Sequence, residues 1–162
     1  MIEVKVMGFA IDKQQNTPIL ILEEIEGNKR ILPIWIGECE ADAISRGLTK
    51  AEIPRPFTHD LIISIIKGLR AELIKVEITQ LKNNTFYALL WLKRESDIIK
   101  IDARPSDAVA IAVHTGIPIF VSDEIMSKEG IKYEKDKEHK LENIKEYLKK
   151  VKPENFGEID LR

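Results

Sequence analysis

One short polar segment occurs twice in this chain, each time directly before a run of apolar residues. The first copy, residues 55–60 (RPFTHD), precedes LIISII, and the second, residues 102–107 (DARPSD), precedes AVAIAV. Each copy combines an arginine, a proline, a hydroxyl residue and an aspartate. Proline, hydroxyl and carboxylate groups in this order are typical of helix starts. These two Arg-Pro segments therefore predict one helix over about residues 58–69 and a second that ends near residue 114.

Stretches with apolar alternation predict strands around those helices. They lie at about residues 3–10, 19–22, 30–36, 73–79, 85–92, 98–102 and 117–121. A further helix is expected over residues 38–48, and Pro33 favours an edge position for the third strand. Hairpins outnumber parallel crossovers in this order, so we predict an α+β fold, with helices packed on one side of a mixed, mostly antiparallel sheet. The two Arg-Pro segments divide the chain into comparable halves, which hints at an internal duplication.

The 162 residues suit one domain, residues 1–125, followed by a charged C-terminal extension, residues 126–162. Apolar residues in this extension fall on one helical stripe and predict an amphipathic helix that docks on the body or on another subunit. They are Leu141, Ile144, Leu148 and Val151. In the predicted helix over residues 58–69, a buried stripe is expected at Leu61, Ile62, Ile65, Ile66 and Leu69. The single cysteine, Cys39, excludes an intrachain disulfide and is interpreted as a small buried residue.

The overall charge argues against a strongly electrostatic nucleic-acid binder. The formal net charge is −2, although a local basic patch on such a protein is still compatible with phosphate binding. No apolar run approaches the roughly 20 residues needed to span a bilayer, and no signal peptide is apparent, so we expect no membrane association and a cytoplasmic location. Glycine-rich phosphate loops and dinucleotide motifs are missing, so no organic cofactor is expected. The richness in Lys, Glu and Ile is compatible with a thermophilic source.

Carboxylates and one histidine in the Arg-Pro segments offer the most plausible chemistry. Asp60, Asp102 and Asp107 could bind a divalent metal such as Mg²⁺ or Mn²⁺, alone or with Glu38 or Glu40. His59 is available to carry a proton. Arg55 or Arg104 could hold a phosphate oxygen.

A purely structural interpretation accounts for the same residues. Thr58 can cap one helix, Pro105 or Ser106 can start the next, and the aspartates suit the positive ends of both helices. The arginines then pair with those carboxylates and tie the two halves together. In the aromatic strand, Phe86 and Tyr87 point to opposite faces, so they are predicted to pack against other residues rather than to stack bases together.

Four stretches together resemble one known family. They are residues 32–38 (LPIWIGE), 55–61 (RPFTHDL), 84–88 (NTFYA) and 101–108 (IDARPSDA), and they resemble the bifunctional nuclease domain family over about residues 1–125. Plant members of that family are described as cutting both DNA and RNA. The resemblance implies an oligomeric α+β domain and a nuclease that cleaves DNA or RNA phosphodiesters. It carries over Arg55, His59, Asp60, Asp102, Arg104 and Asp107 as motif positions.

Two hypotheses follow from the sequence. In the first, the chain is a metal-assisted nuclease in which Asp60, Asp102 and Asp107 bind the metal or position water. In the second, it is a non-enzymatic, homo-oligomeric domain that binds a small ligand or a protein partner. The resemblance favours the first hypothesis, and the net negative charge favours the second.

Overall fold

The computed structural model describes residues 1–132 and 159–161, which form one open sheet with four helices. The elements are β1 (Ile2–Asp12), β2 (Thr17–Glu24), β3 (Arg30–Trp35), α1 (Glu38–Thr49), α2 (Thr58–Gly68), β4 (Glu72–Lys82), β5 (Thr85–Arg94), β6 (Asp97–Ala103), α3 (Pro105–Thr115), β7 (Ile119–Val121), α4 (Asp123–Lys128), β8 (Ile131–Lys132) and β9 (Ile159–Leu161).

The sheet confirms the predicted α+β class. Its strand order is β6-β5-β4-β7-β1-β2-β3-β8, and β9 pairs with β1 beside this path. Within the described residues only β4 and β7 pair in parallel, and the other strand pairs are antiparallel. β1–β3 and β4–β6 each form a meander that leads to a helix, α1 and α3 respectively. The Arg-Pro segments stand before α2 and α3, so they do not occupy equivalent places in these two halves.

The described helices pack on one face of the sheet, and the alternation of strand side chains shows which face this is. Leu20 and Leu22 of β2 belong to the large core that includes buried residues of all four helices, such as Ile44 of α1. Ile19 and Ile21 of the same strand point to the other face and join a second, smaller cluster. All four residues are buried, which explains why the sequence of β2 is a continuous apolar run rather than an alternation of polar and apolar residues.

The buried face of α2 differs from the predicted stripe. Ile63 and Ile66 are buried and Ile62 is partly buried, as a core-facing helix requires. Leu61, Ile65 and Leu69, which were expected to be buried, are each more than half exposed. The sequence offered apolar residues around most of this helix, and only the packing partners α3 and β4 decide which of them are covered.

Other expectations met mixed outcomes. Pro33 lies within β3 where β8 no longer pairs with it, as its missing donor requires. Cys39 is exposed, so the prediction of a buried cysteine was wrong.

α4 crosses the predicted domain boundary at residue 125, and β8 extends the sheet beyond it. The predicted helix with Leu141, Ile144, Leu148 and Val151 lies outside the described residues. No helix in the described part of the chain is long and apolar enough to cross a membrane.

Candidate functional site

The first Arg-Pro segment begins α2 with a carboxylate as its cap. The N-cap residue is Phe57, and its backbone N–H donates to Asp60 Oδ2 over 3.0 Å. Thr58 is the first helical residue, so the predicted threonine cap is not the one used. The second segment begins α3 with Arg104 as the N-cap and Pro105 in the first helical position, as its sequence predicts.

A chain of four ionisable side chains joins the starts of α1, α2 and α3. His59 Nε2 lies 2.9 Å from Asp107 Oδ1. Arg104 Nε donates to Asp107 Oδ2 over 2.7 Å, and its terminal nitrogen donates to Glu40 Oε1 over 2.6 Å. We call this set the His59–Glu40 network. It brings together three of the predicted site residues, and it adds Glu40, which the sequence offered only as an alternative ligand.

Electrostatics favour the charged forms of Asp107 and Arg104 within this network. Burial raises the pKa of the Asp107 carboxyl, but hydrogen bonds from Arg104 and His59 outweigh it, so its pKa falls below the ordinary value. Hydrogen bonds to Asp107 and Glu40 raise the pKa of the Arg104 guanidinium. Asp107 is therefore an anion at neutral pH. An anion can only accept a hydrogen bond, so His59 Nε2 must carry the proton between them.

A second histidine–carboxylate pair joins α2 and α3, and here the histidine lies on α3 and the carboxylate on α2. His114 of α3 places Nδ1 3.2 Å from Asp60 Oδ1 and Nε2 2.9 Å from the carbonyl oxygen of Ala43. Both ring nitrogens of His114 thus face acceptors. His59 differs, because its Nδ1 has no partner among the described residues. Of these two histidines, His59 is the one with a nitrogen left to accept a proton.

Asp102 and Arg55 lie apart from this network. Asp102 of β6 is opposite Leu89 of β5, one position from Ala88 and Leu90, which face the helices. Opposed residues share a face, so Asp102 projects from the face opposite to the four described helices and is exposed. Arg55 is exposed and forms no ion pair within the described residues. Sequence proximity to Arg104 suggested a role for Asp102 that strand alternation does not support.

The described residues do not form the expected three-carboxylate metal site. No three His, Cys, Asp or Glu side chains in residues 1–132 group in a way that could hold a metal ion. Asp60 is held by the backbone of α2 and by His114, Asp107 by Arg104 and His59, and Asp102 projects from the other face. The set Asp60, Asp102 and Asp107 therefore does not fit a metal ion in this conformation.

A cavity of about 530 Å³ lies beside the network and was missed by sequence reasoning. Its lining includes Arg104 and Ser106 at the start of α3, Phe86 at the start of β5, and the end of β3. Phe86 is partly buried against the core, and Tyr87 is 41% exposed, which confirms that they point to opposite faces. The quoted stretches 32–38, 84–88 and 101–108 all contribute to this lining, which is the signal that could have found it.

The fold and the network define an α+β domain with ionisable groups gathered at the starts of its helices. Sequence comparison then places it in a family. The chain belongs to the bifunctional nuclease domain family, whose model matches residues 20–134.

The relatives fall into two groups. An uncharacterized protein of Mycobacterium tuberculosis is 43% identical over 163 residues, which cover 95% of this chain and 97% of that protein. Bifunctional nuclease 1 of Arabidopsis thaliana is 27% identical over 118 residues, covering 71% of this chain and 36% of the plant protein. Bifunctional nuclease 2 of Oryza sativa subsp. japonica is 27% identical over 128 residues, covering 77% of this chain and 39% of its own. This chain thus matches only part of the plant nucleases' length.

Proposed function

We propose that this protein cleaves phosphodiester bonds in nucleic acids, with His59 as the general base. The observation that carries the proposal is the pair His59–Asp107, because Asp107 orients the ring and leaves Nδ1 unpaired. Membership of the bifunctional nuclease domain family and the likeness to plant bifunctional nucleases support the choice of substrate.

The roles follow from the charge states of the network. A neutral imidazole with its proton on Nε2 presents a lone pair on Nδ1, which is the group that a general base needs. A carboxylate that holds the ring also stabilises the imidazolium formed when Nδ1 takes a proton. Asp107 is then a positioning residue, and Arg104, which contacts the same carboxylate as His59, is a cation that can bind a phosphate oxygen. Arg104 is 66% exposed, so a substrate can reach it.

The proposed step balances without a further reagent. Water attacks phosphorus and forms the new P–O bond, while its proton goes to His59 Nδ1. The bond to the leaving sugar oxygen breaks, and that oxygen keeps the electron pair and takes a proton from solvent. His59 then returns its proton to solvent. Since the attacking group is water, the same step applies to DNA and RNA.

A competing, non-enzymatic role is favoured by a different observation. Asp60 and Asp107 are both engaged, Asp60 by a cap and His114, Asp107 by Arg104 and His59. These contacts join α2 and α3, and the pair between Arg104 and Glu40 joins α3 to α1. In that case the network stabilises the fold of a ligand-binding or partner-binding domain, and His59 has no chemical role.

One experiment separates the two proposals. Cleavage of labelled single-stranded DNA and RNA is measured with Mg²⁺, with Mn²⁺ and with a chelator, for the natural chain and for His59→Gln. We expect cleavage to fall by about 100-fold or more in His59→Gln, the range for loss of a general base. His114→Gln is the matched control and should retain activity. Equal cleavage by the natural chain and His59→Gln would refute the proposed role of His59.

A further inference from the structure

The cavity of about 530 Å³ has a polar end at the start of α3. No side chain caps this helix, and Pro105 has no N–H. The N–H groups of Ser106 and Asp107 therefore stand free at the positive end of the helix dipole. Groups of this kind favour an anion.

Ser106 supplies an independent sign of a ligand. It is 93% buried, since only 7% of its surface is exposed, and it lines the cavity. Its hydroxyl has no hydrogen-bond partner within residues 1–132. The hydroxyl is not one of the fully buried unpaired atoms of the described residues, so it is open to the cavity, where water or a ligand can bond to it. A ligand in the cavity would satisfy the Ser106 hydroxyl.

The charges around the polar end favour an anion of low charge. Arg104 lines the cavity, but its guanidinium already pairs with Glu40 and Asp107. Glu129 also lies in the lining. With one arginine set against several carboxylates, a phosphodiester with one negative charge fits better than a terminal phosphate with two.

Another part of the lining is apolar and contains an aromatic ring. Ile34 and Ile36 are buried members of the core beside the cavity, and Phe86 is partly buried against the same core. Aromatic side chains stack nucleic-acid bases without regard to sequence. Asn84 of the neighbouring turn also lines the cavity and has no hydrogen-bond partner in the described part of the chain, so its amide is available to a base edge.

The half-buried Trp91, on the other face of the sheet, is a poorer place for a base. The ring of Trp91 has the ammonium groups of Lys75 and Lys100 at 4.3 Å and 4.1 Å from its centroid. Its indole N–H donates to Glu77 over 2.8 Å. These contacts occupy the ring, whereas the Phe86 side of the cavity is open to a ligand.

We propose that this cavity binds one nucleotide unit of a single-stranded nucleic acid, with the base against Phe86 and the phosphodiester at Ser106 and Arg104. This assignment rests on the proposed nuclease function and names its substrate class. A base in the cavity cannot also be stacked and paired in a duplex. Single strands and unpaired regions are therefore bound in preference to duplexes.

The test measures binding separately from cleavage. The probe is a fluorescein-labelled ten-nucleotide oligo(dT) with phosphorothioate linkages, which resist cleavage, and fluorescence anisotropy gives the Kd. We expect a duplex of equal length to bind at least about tenfold more weakly. Among unlabelled competitors, the dinucleotide dTpdT should displace the probe at lower concentration than thymidine monophosphate or inorganic phosphate.

Matched variants locate the binding site. Phe86→Leu should raise the Kd by about tenfold, the effect of losing one stacked base. Tyr87→Leu is its control, because the neighbouring ring points to the other face and should leave the Kd unchanged. Ser106→Ala should also raise the Kd by about tenfold through the lost hydrogen bond to a charged group. It tests the cavity even if Phe86→Leu disturbs the core, and thermal melting checks that each variant is folded.

The outcomes separate this assignment from the proposed function. Equal Kd values for single strand and duplex, with Ser106→Ala like the natural chain, would overturn the assignment. Binding as expected, without cleavage by the natural chain, would overturn only the nuclease proposal. Cleavage that depends on His59 while both cavity variants keep the natural Kd would overturn only the cavity assignment.

Discussion

Replacing Asp107 by asparagine should affect activity far more than stability. The change keeps the shape of the side chain but removes its charge, and it presents an amide N–H₂ to His59 or Arg104, which are both donors. The pair with Arg104 is worth about 0–1 kcal/mol, because that arginine is 66% exposed and screened by solvent. The better-buried hydrogen bond to His59 loses its charge assistance, about 1 kcal/mol. The total, about 1–2 kcal/mol, corresponds to a fall in Tm of roughly 2–8 °C for a chain of this size.

The expected loss of activity is larger, because the ring of His59 loses the anion that fixes its proton on Nε2. We expect kcat/KM for single-stranded DNA to fall by about 100-fold, equivalent to about 2.7 kcal/mol of transition-state stabilisation. Asp60→Asn is the matched control. It also weakens a histidine–carboxylate pair between α2 and α3, so a similar fall in Tm with little change in kcat/KM is expected. Equal losses of activity in the two variants would refute the reasoning and favour a structural role for both pairs.

Two further predictions concern the fold. A Cβ at Gly47 would lie 2.5 Å from the ring of His114, so Gly47→Ala should lower the free energy of unfolding by about 1–3 kcal/mol in a denaturant titration. Gly68 has open space around it, so Gly68→Ala should raise that free energy by up to about 1 kcal/mol. A more stable Gly47→Ala than Gly68→Ala would contradict the packing of α1 on α3. The hydrogen bond from Arg30 lowers the pKa of the largely buried Glu24 below 4.5, so Glu24→Gln should cost about 2–4 kcal/mol at pH 7. A carboxyl whose pKa is lowered by folding stabilises the fold at pH values above its ordinary pKa, and this stabilisation is lost as the pH falls through the pKa of the folded state. The difference in Tm between the natural chain and Glu24→Gln should therefore shrink below pH 4.5. A constant difference from pH 7 to pH 3 would count against the pairing of Glu24 with Arg30.

Much of the fold follows from local patterns. The turn at Asn83 and Asn84, both with positive φ, joins β4 and β5 between the two predicted strands 73–79 and 85–92, because asparagine tolerates that conformation. Pro105 in the first turn and Gly116 at the end of α3 mark that helix in the same way. The short elements α4 and β8 were not predicted, since six and two residues carry too little periodicity to be recognised.

The exposed face of α2 shows why burial was harder to predict. Leu61 and Ile65 are as apolar as Ile63 and Ile66, and all four lie within one helix. The helical spacing of the apolar residues is compatible with burial of several faces of α2, and the neighbouring elements determine which face is buried. Cys39 is a similar case, because its small apolar side chain is compatible with either side of α1.

The two Arg-Pro segments by themselves determined that two helices start at these points and that ionisable groups gather there, because capping and dipole preferences act within one turn. Tertiary structure alone decided which of those groups meet. Packing of α2 against α3 sets His59 against Asp107 and Asp60 against His114, whereas alternation along β6 carries Asp102 to the other face. The cavity at Ser106 likewise needs three segments that are distant in the chain. Contacts between such segments depend on the summed packing of the core, which no local pattern encodes.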